Sequence, residues 1–421
     1  MTLLVVGGGG REHALVWKLK QSPRVSRVLC APGNAGTAAL AENFPVKATD
    51  LDAIVELARR ERVDLVVVGP DDPLAAGLVD RLQSAGIRAF GPKAAAARFE
   101  SSKSFAKDFM VRHGIPTARS EKFTDFAAAC EYARGQKFPL VVKADGLALG
   151  KGVTIAEDYA TAEKALRESV VEGVFGDAGK TVVIEEFLEG RECSIHALID
   201  GKSWLLFPDA RDHKRALDGD RGPNTGGMGT LSPSGRVDDA LRSRIEKEVL
   251  APFVRGLQED GLDFRGMLFP GLMLTADGPK VLEFNARFGD PETQVLLPRL
   301  RSDLLDLLEA TIDGRLDAVR AEWDDRAACC VVMASGGYPG KYQTGHVISG
   351  LDAAAKHGAQ VFHAGTALRD GAAVTAGGRV LGVTSLGDSS AKAVASAYEG
   401  VRLIGFEKAA YRTDIGASDP A

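Results

Sequence analysis

At 421 residues, 45% hydrophobic and 26% charged, the chain is too long for one core and too ordinary in composition for a disordered or fibrous protein; two or three domains of about 150 residues are expected. A net charge of −5 supplies no basic field, which argues against nucleic acid as a partner. Five cysteines without a CxxC pair, an N-terminus that enters a strand without a charged n-region, and no apolar run of bilayer length argue against a disulfide frame, a secreted protein and a membrane protein; a reduced, cytoplasmic protein is expected.

Leu3-Leu4-Val5-Val6 reads as a buried strand that ends in Gly7-Gly8-Gly9-Gly10 and feeds a helix carrying Leu15 and Leu19. Further strands are expected at 25–29, 65–68 and 88–90, with a helix at 51–60. Continuous apolar strands separated by helices imply a parallel sheet covered on both faces. The four-glycine turn is not a dinucleotide fingerprint. Glu12 or His13 stands where its third glycine belongs, and the second strand ends in Cys30-Ala31 rather than an acidic residue. Glycines at a helix N-terminus still bring N–H groups to an anion, with Arg11 adding charge, and the loop from Ala31 to Thr37 has the same character. Both loops lie at the carboxyl edge of the sheet, where a phosphate-bearing substrate is expected.

A single helix is expected from Ala94 to His113, stopped by Gly114-Ile115-Pro116, and a small α+β unit over 120–190. Within that unit Lys143 to Gly152 is a strand running into a glycine-rich loop. It is not a Walker A loop, because Gly146 to Gly150 is one residue short and Gly152 replaces the Ser/Thr. It suits a flap folding its amides over a polyphosphate, with Lys143 as a point charge. Carboxylates from Glu185 to Glu192 suit either a solvated strand end or an adenine and ribose site. Asp212-His213-Lys214-Arg215 precedes the loop from Gly222 to Gly229, which is either a backbone cradle for a small polar substrate or a surface loop. His213, alone between charges, reads more readily as a hydrogen-bonding residue than as a base. A hairpin turning at Asp277-Gly278 leads into Val281 to Pro291. The period of two puts Glu283, Asn285 and Arg287 on one face and Leu282, Phe284 and Ala286 on the other. Two hard oxygens there suit Mg²⁺, and the guanidinium suits an oxyanion. A glycine-rich unit of short strands, closing with a helix near 391–402, follows from about residue 326.

These segments, in this order, resemble the ATP-grasp ligases and, among them, the glycinamide ribonucleotide synthetase family. The likeness runs the whole length: GGREHA at 9–14, PGNAGT at 32–37, KADGLALGKGV at 143–153, EEFLEGRE at 185–192, DHKR at 212–215, GPNTGGMG at 222–229, EFNARFGDPETQ at 283–294 and GGYPG at 336–340. The resemblance implies an α/β protein with a Rossmann-like parallel-sheet domain at 1–101 and an ATP-grasp domain pair at 102–325, whose mobile lid spans about 120–190. A small C-terminal α+β domain would occupy 326–421. It implies a monomeric enzyme that ligates glycine to 5-phosphoribosylamine at the expense of ATP, through a glycyl phosphate. Lys103, Lys143, Gly146, Gly150, Lys151 and Gly152 would meet the ATP phosphates; Glu185, Glu186, Leu188 and Glu192 would meet adenine and ribose. Glu283 and Asn285 would bind Mg²⁺ or Mn²⁺. Arg287, Asp212, Lys214 and Lys143 would be catalytic, and Asn224, Thr225, Gly226 and Gly227 would surround glycine. Gly9, Gly10, Arg11, Glu12, Gly33, Asn34 and Gly36 would hold phosphoribosylamine. The chain departs from the family at Asp71, where Glu is frequent, at Ala286, where Cys is common, and in its first glycine loop, where one Asn is usual. Gly271-Leu272-Met273 also offers no second metal carboxylate. Another carboxylate–amine ligase on the same fold, or a non-catalytic nucleotide-binding protein, remains open at this stage.

Overall fold

The computed structural model describes residues 1–147 and 152–417. The first hundred residues build a five-stranded parallel sheet from β1 (Thr2–Gly7), β2 (Arg27–Pro32), β3 (Glu42–Asn43), β4 (Leu65–Val68) and β5 (Ala89–Phe90), in the order β3-β2-β1-β4-β5. Leu3, Val5 and Val67 face one core and Leu4, Val6 and Val66 another, so both faces are dry and the strands read as unbroken apolar runs. A turn over residues 22–25 (Val25 N–H donates to the Ser22 carbonyl) leads into β2, which begins at Arg27.

The helix expected over 94–113 is two helices, Ala94–Ser101 and Lys103–Arg112. Ser102 leaves the helical region (φ −143°, ψ 106°), and its hydroxyl accepts the Phe105 N–H at 3.2 Å, so a cap starts the second helix at Lys103. Next, β6 (Ser120–Phe123), β7 (Leu140–Ala144), β8 (Val153–Ala156) and β9 (Val182–Glu186) form an antiparallel sheet in the order β6-β9-β7-β8. Its core of Ala129, Leu140, Val142, Leu166 and Ile184 is its own.

The chain continues through β10 (Arg191–Ser194), β11 (Ala197–Ile199), β12 (Trp204–Leu206), β13 (Arg211–Asp212), β14 (Arg215–Leu217), β15 (Arg221–Asn224) and β16 (Gly229–Ser232). The hairpin of β17 (Gly266–Thr275) and β18 (Gly278–Asn285) pairs with β10 and β11. Its turn is Ala276-Asp277, one residue earlier than expected. Thr275 faces Gly278, which opens β18 at a φ of +129° that favours glycine.

C-terminal strands β19 (Ala327–Ser335), β20 (Gln360–His363), β21 (Thr366–Arg369), β22 (Ala372–Thr375), β23 (Arg379–Gly387) and β24 (Ala409–Ala410) are joined by the helix Ser390–Leu403. Their main sheet runs β13-β16-β19-β23-β20 and so recruits two strands from upstream. That pairing brings the 222–229 loop against the C-terminal unit. A shared core holds the units together: Leu15, Val295, Ala328 and Phe362 belong to one buried cluster. No helix among the described residues is long and apolar enough to cross a membrane.

Candidate active site

Glu283, Asn285 and Arg287 project half-buried from one side of β18 and its extension, while Phe284 and Ala286 are buried on the other. The alternation stops short of Leu282. Gly271 faces Glu283 but Leu272 faces Val281, so Leu282 is an extra residue in a bulge, and Val281 takes the core position expected of it. The bulge also frees the Leu282 carbonyl, which accepts a hydrogen bond from Lys143 Nζ at 3.0 Å.

Asn285 Nδ2 donates to the Phe269 carbonyl at 3.2 Å, which turns Oδ1 toward Arg287 (Nη2 at 3.3 Å). Arg287 is held by Glu100, with Nη2 2.9 Å from Oε1, while Glu100 Oε2 accepts the Ala286 N–H at 2.8 Å. Burial pushes the Glu100 carboxyl up, and the Arg287 charge opposes it. Burial likewise acts to raise the Glu283 carboxyl, but Lys214, Lys143, Lys103 and Arg287 together outweigh it and hold the group below its ordinary value. Among the described residues no three His, Cys, Asp or Glu side chains cluster as metal ligands. Two oxygen donors, ringed by ammonium groups, fit a cation that arrives with phosphates and keeps most of its ligands from them.

Lys143 (Nζ to Oε2, 3.0 Å) and Lys107 (Nζ to Oε1, 3.2 Å) grip the buried Glu185 from both sides. Lys107 also donates to Thr117 Oγ1 at 2.7 Å, and burial brings its ammonium down to about 8, against the pull of Glu185. Glu186 lies on the opposite face of β9, where it accepts from the Arg119 backbone N–H (3.0 Å) and Nε (2.8 Å). Its side chain is therefore directed away from the Lys143–Glu185 pair, because neighbours on a strand alternate. Leu188 is buried in the β9–β10 connection. Glu192 pairs with Lys214 (3.0 Å).

The new helix at Lys103 meets the base of the glycine-rich loop. Lys103 N–H donates to the Asp145 carbonyl (2.9 Å) and its Nζ to the Gly146 carbonyl (3.1 Å). Gly146 packs so closely on Ala178 that a Cβ would lie 2.6 Å from it. The Gly152 carbonyl accepts the Ala144 N–H at 2.8 Å. Gly150 and Lys151 lie outside the described residues.

Asp212 ends β13 with a buried Oδ1 that lacks a hydrogen-bond partner, and burial plus the nearby Glu292 push its carboxyl well up. Glu192, with Glu283 and Asp212, raises the Lys214 ammonium above its ordinary value. Thr225 N–H and Oγ1 both donate to the Lys214 carbonyl at 2.8 Å, and Asn224 pairs with Arg215 in the β14–β15 register. Gly227 adopts φ +111°, and a Cβ there would lie 2.6 Å from Asp212 Oδ1. His213 is structural. Its Nδ1 donates to the Gly229 carbonyl (3.1 Å), its Nε2 accepts the Gly416 N–H (3.2 Å), and burial lowers it to about 4.

The N-terminal loops differ from expectation. Glu12 caps its own helix by accepting the Gly9 N–H at 2.6 Å and pairs with Arg11, whose Nη1 donates to the Phe288 carbonyl. A Cβ on Gly7 would lie 2.5 Å from the Glu12 side chain, so this carboxylate fills the crevice where a dinucleotide pyrophosphate would sit. The second loop is not an open cradle. Asn34 Oδ1 accepts the Gly36 and Thr37 N–H groups, Thr37 Oγ1 accepts the Asn34 N–H, and the Gly33 N–H donates to the Gly7 carbonyl. These amides are spent on the turn, and Asn34 Nδ2 ties it to the Gly8 and His363 carbonyls. The N-terminus of the helix Gly10–Leu19 is left to meet an anion, and it lies against the segment after Arg287: a Cβ on Gly10 would be 2.5 Å from Gln294 Nε2.

Sequence reasoning missed Glu100, Lys107, Glu292 and Arg379. Glu100 and Lys107 look like ordinary helix residues, and Arg379 looks like the start of an ordinary strand. Glu292 stands within a motif already singled out, yet no role attaches to it without knowing that Asp212 lies beside it.

Family models describe this architecture. Phosphoribosylglycinamide synthetase N domain matches residues 1–100, its ATP-grasp (A) domain 101–293 and its C domain 328–418. A phosphoribosylamine–glycine ligase of Allochromatium vinosum is 54% identical over 419 residues, covering 99% of this chain and 98% of that one. The crystal structure of a phosphoribosylamine–glycine ligase from Thermotoga maritima aligns with a TM-score of 0.88 at 34% identity, over 99% of this chain and 100% of that one. At 16% identity, the biotin carboxylase domain of a Hydrogenobacter thermophilus 2-oxoglutarate carboxylase, solved with MgADP, ADP and bicarbonate, shares the fold with a TM-score of 0.74, over 97% of this chain and 91% of that one.

Proposed function

The chain belongs to the phosphoribosylglycinamide synthetase family and is an ATP-grasp ligase; from that premise we propose that it joins glycine to 5-phosphoribosylamine in purine biosynthesis. The products are glycinamide ribonucleotide, ADP and phosphate. The observation that carries this reading is the opposition of Glu283 and Asn285 to Lys103, Lys143, Lys214 and Arg287. A bare binding module has little use for so costly a concentration of buried charge.

Lys103 and Lys143 hold the triphosphate, covered by the 146–152 loop. In the structure Lys143 is bound to Glu185, so it exchanges that carboxylate for phosphate while Lys107 keeps Glu185 placed for the adenine amino group. The Leu188 backbone pairs with the base, and Glu192 takes the ribose. Glu283 and Asn285 ligate Mg²⁺ or Mn²⁺, which supplies charge neutralisation on the phosphates when bound. Arg287, Lys214, Asp212 and the 224–227 loop orient glycine, and the helix N-terminus with Arg11 holds the phosphate of the amine. A glycine carboxylate oxygen attacks the γ-phosphorus and ADP leaves, giving an acyl phosphate. The amine then attacks the carbonyl carbon, loses a proton and expels phosphate. These residues contribute positioning and charge, with no covalent enzyme intermediate. The enzyme works on small molecules, as a monomer in the cytoplasm.

Omitting substrates one at a time tests the reading. ADP release should require both glycine and phosphoribosylamine and match product formation. ADP release with a different amine acceptor, or none with this one, overturns it.

A further inference from the structure

Arg379 opens β23, and the β19–β23 register skips a residue there: Met333 faces Leu381 and Ala334 faces Arg379. The next two residues, Val380 and Leu381, are both buried in the C-terminal core, whereas Arg379 reaches across into the site. Its Nη1 donates to the Gly226 carbonyl (2.6 Å) and the Asp290 carbonyl (2.8 Å), and its Nη2 lies 3.4 Å from Asp290 Oδ2. The preceding peptide is held too, the Gly226 N–H donating to Tyr338 Oη at 3.3 Å. A Cβ on Gly226 would lie 3.0 Å from the Arg379 guanidinium carbon, so glycine is what admits the fork this closely. Tyr338 belongs to the GGYPG motif, to which the reaction assigns no part.

Two residues of the C-terminal unit thus grip the peptides on either side of Gly226, and one of them also grips Asp290. Asp290 in turn faces the phosphate-binding helix, since a Cβ on Gly9 would be 3.3 Å from its Oδ2. We propose that Arg379, supported by Tyr338, is a positioning residue that latches the 222–229 loop onto Asp290 and keeps water from the acyl phosphate until the amine attacks. The inference rests on the ligase reading above. Without the latch, water competes with the amine: glycyl phosphate and water give back glycine and phosphate, so ATP is spent and glycine is not.

The test is the ratio of ADP formed to glycinamide ribonucleotide formed, in the wild-type chain and in Arg379→Met, Arg379→Lys and Tyr338→Phe. Loss of the charged hydrogen bonds of Arg379 should raise the ratio roughly tenfold. Lysine should not restore it, because an ammonium lacks the planar fork that bridges two carbonyls and a carboxylate. Tyr338→Phe, which removes one exposed hydrogen bond and is not expected to disturb folding, should raise the ratio less. A merely structural fault lowers ADP and product together and leaves the ratio unchanged. If all variants remain as coupled as wild type, the latch is overturned. If the wild-type chain itself forms no glycinamide ribonucleotide, the ligase reading fails instead.

Discussion

Glu283 is a carboxylate kept charged by its neighbours. Burial alone would raise it, yet three lysines and an arginine hold it low, and it presents that charge beside the Asn285 oxygen. Glu283→Gln keeps the shape and removes the charge. By comparison with other preorganised electrostatic groups, kcat/KM for Mg·ATP should fall about 10²–10³-fold while cooperative unfolding persists. Wild-type kinetics at ordinary magnesium contradict the assignment. The residues proposed to hold the cation were legible because a strand's period of two is a local property of the chain. Glu100, which fixes Arg287, was not. Its partner is distant in sequence, and no local pattern marks a helix carboxylate as the anchor of a strand arginine.

Elements were read well where burial sets the pattern and less well where a single polar side chain redirects the backbone. The parallel strands of the N-terminal sheet stood out as apolar runs, but Ser102 splits a helix because its hydroxyl caps Phe105. The loop after β2 has the glycine content of an anion cradle, yet Asn34 consumes its amides. Such outcomes depend on one side chain choosing a backbone partner, and composition does not encode that choice. His213 shows the opposite case, a tempting base that is a strut between the Gly229 carbonyl and the Gly416 N–H. Its folded-state value of about 4 lies below the usual 6.5, so the unfolded chain binds the extra proton between those values. Stability is therefore lost as pH falls through that window. At pH 5 the loss from this one group should be about 2 kcal/mol. Denaturant unfolding at pH 7 and pH 5 should show His213→Asn losing less than wild type by about that amount. Equal losses contradict a buried neutral histidine, and carboxyl titrations common to both chains cancel in the comparison.

Across the whole molecule, the site is assembled where the units meet. The N-terminal helix, the extension of β18 and the C-terminal strand β23 converge on Asp290 through Gly9, its own backbone and Arg379. The order of motifs made the family and the broad fold legible. The recruitment of β13 and β16 into the C-terminal sheet was not, since strand pairing between distant segments leaves no local trace. That pairing seats the glycine loop against the C-terminal unit, so residues near the end of the chain touch a loop carried by its middle. The most direct test of this account follows oxygen. Glycine labelled with ¹⁸O in its carboxylate is converted with unlabelled ATP, phosphoribosylamine and water, and the released phosphate is analysed by mass spectrometry. Activation through an acyl phosphate predicts that each phosphate released with product carries an oxygen from glycine. Phosphate free of label, with product still formed, would contradict it.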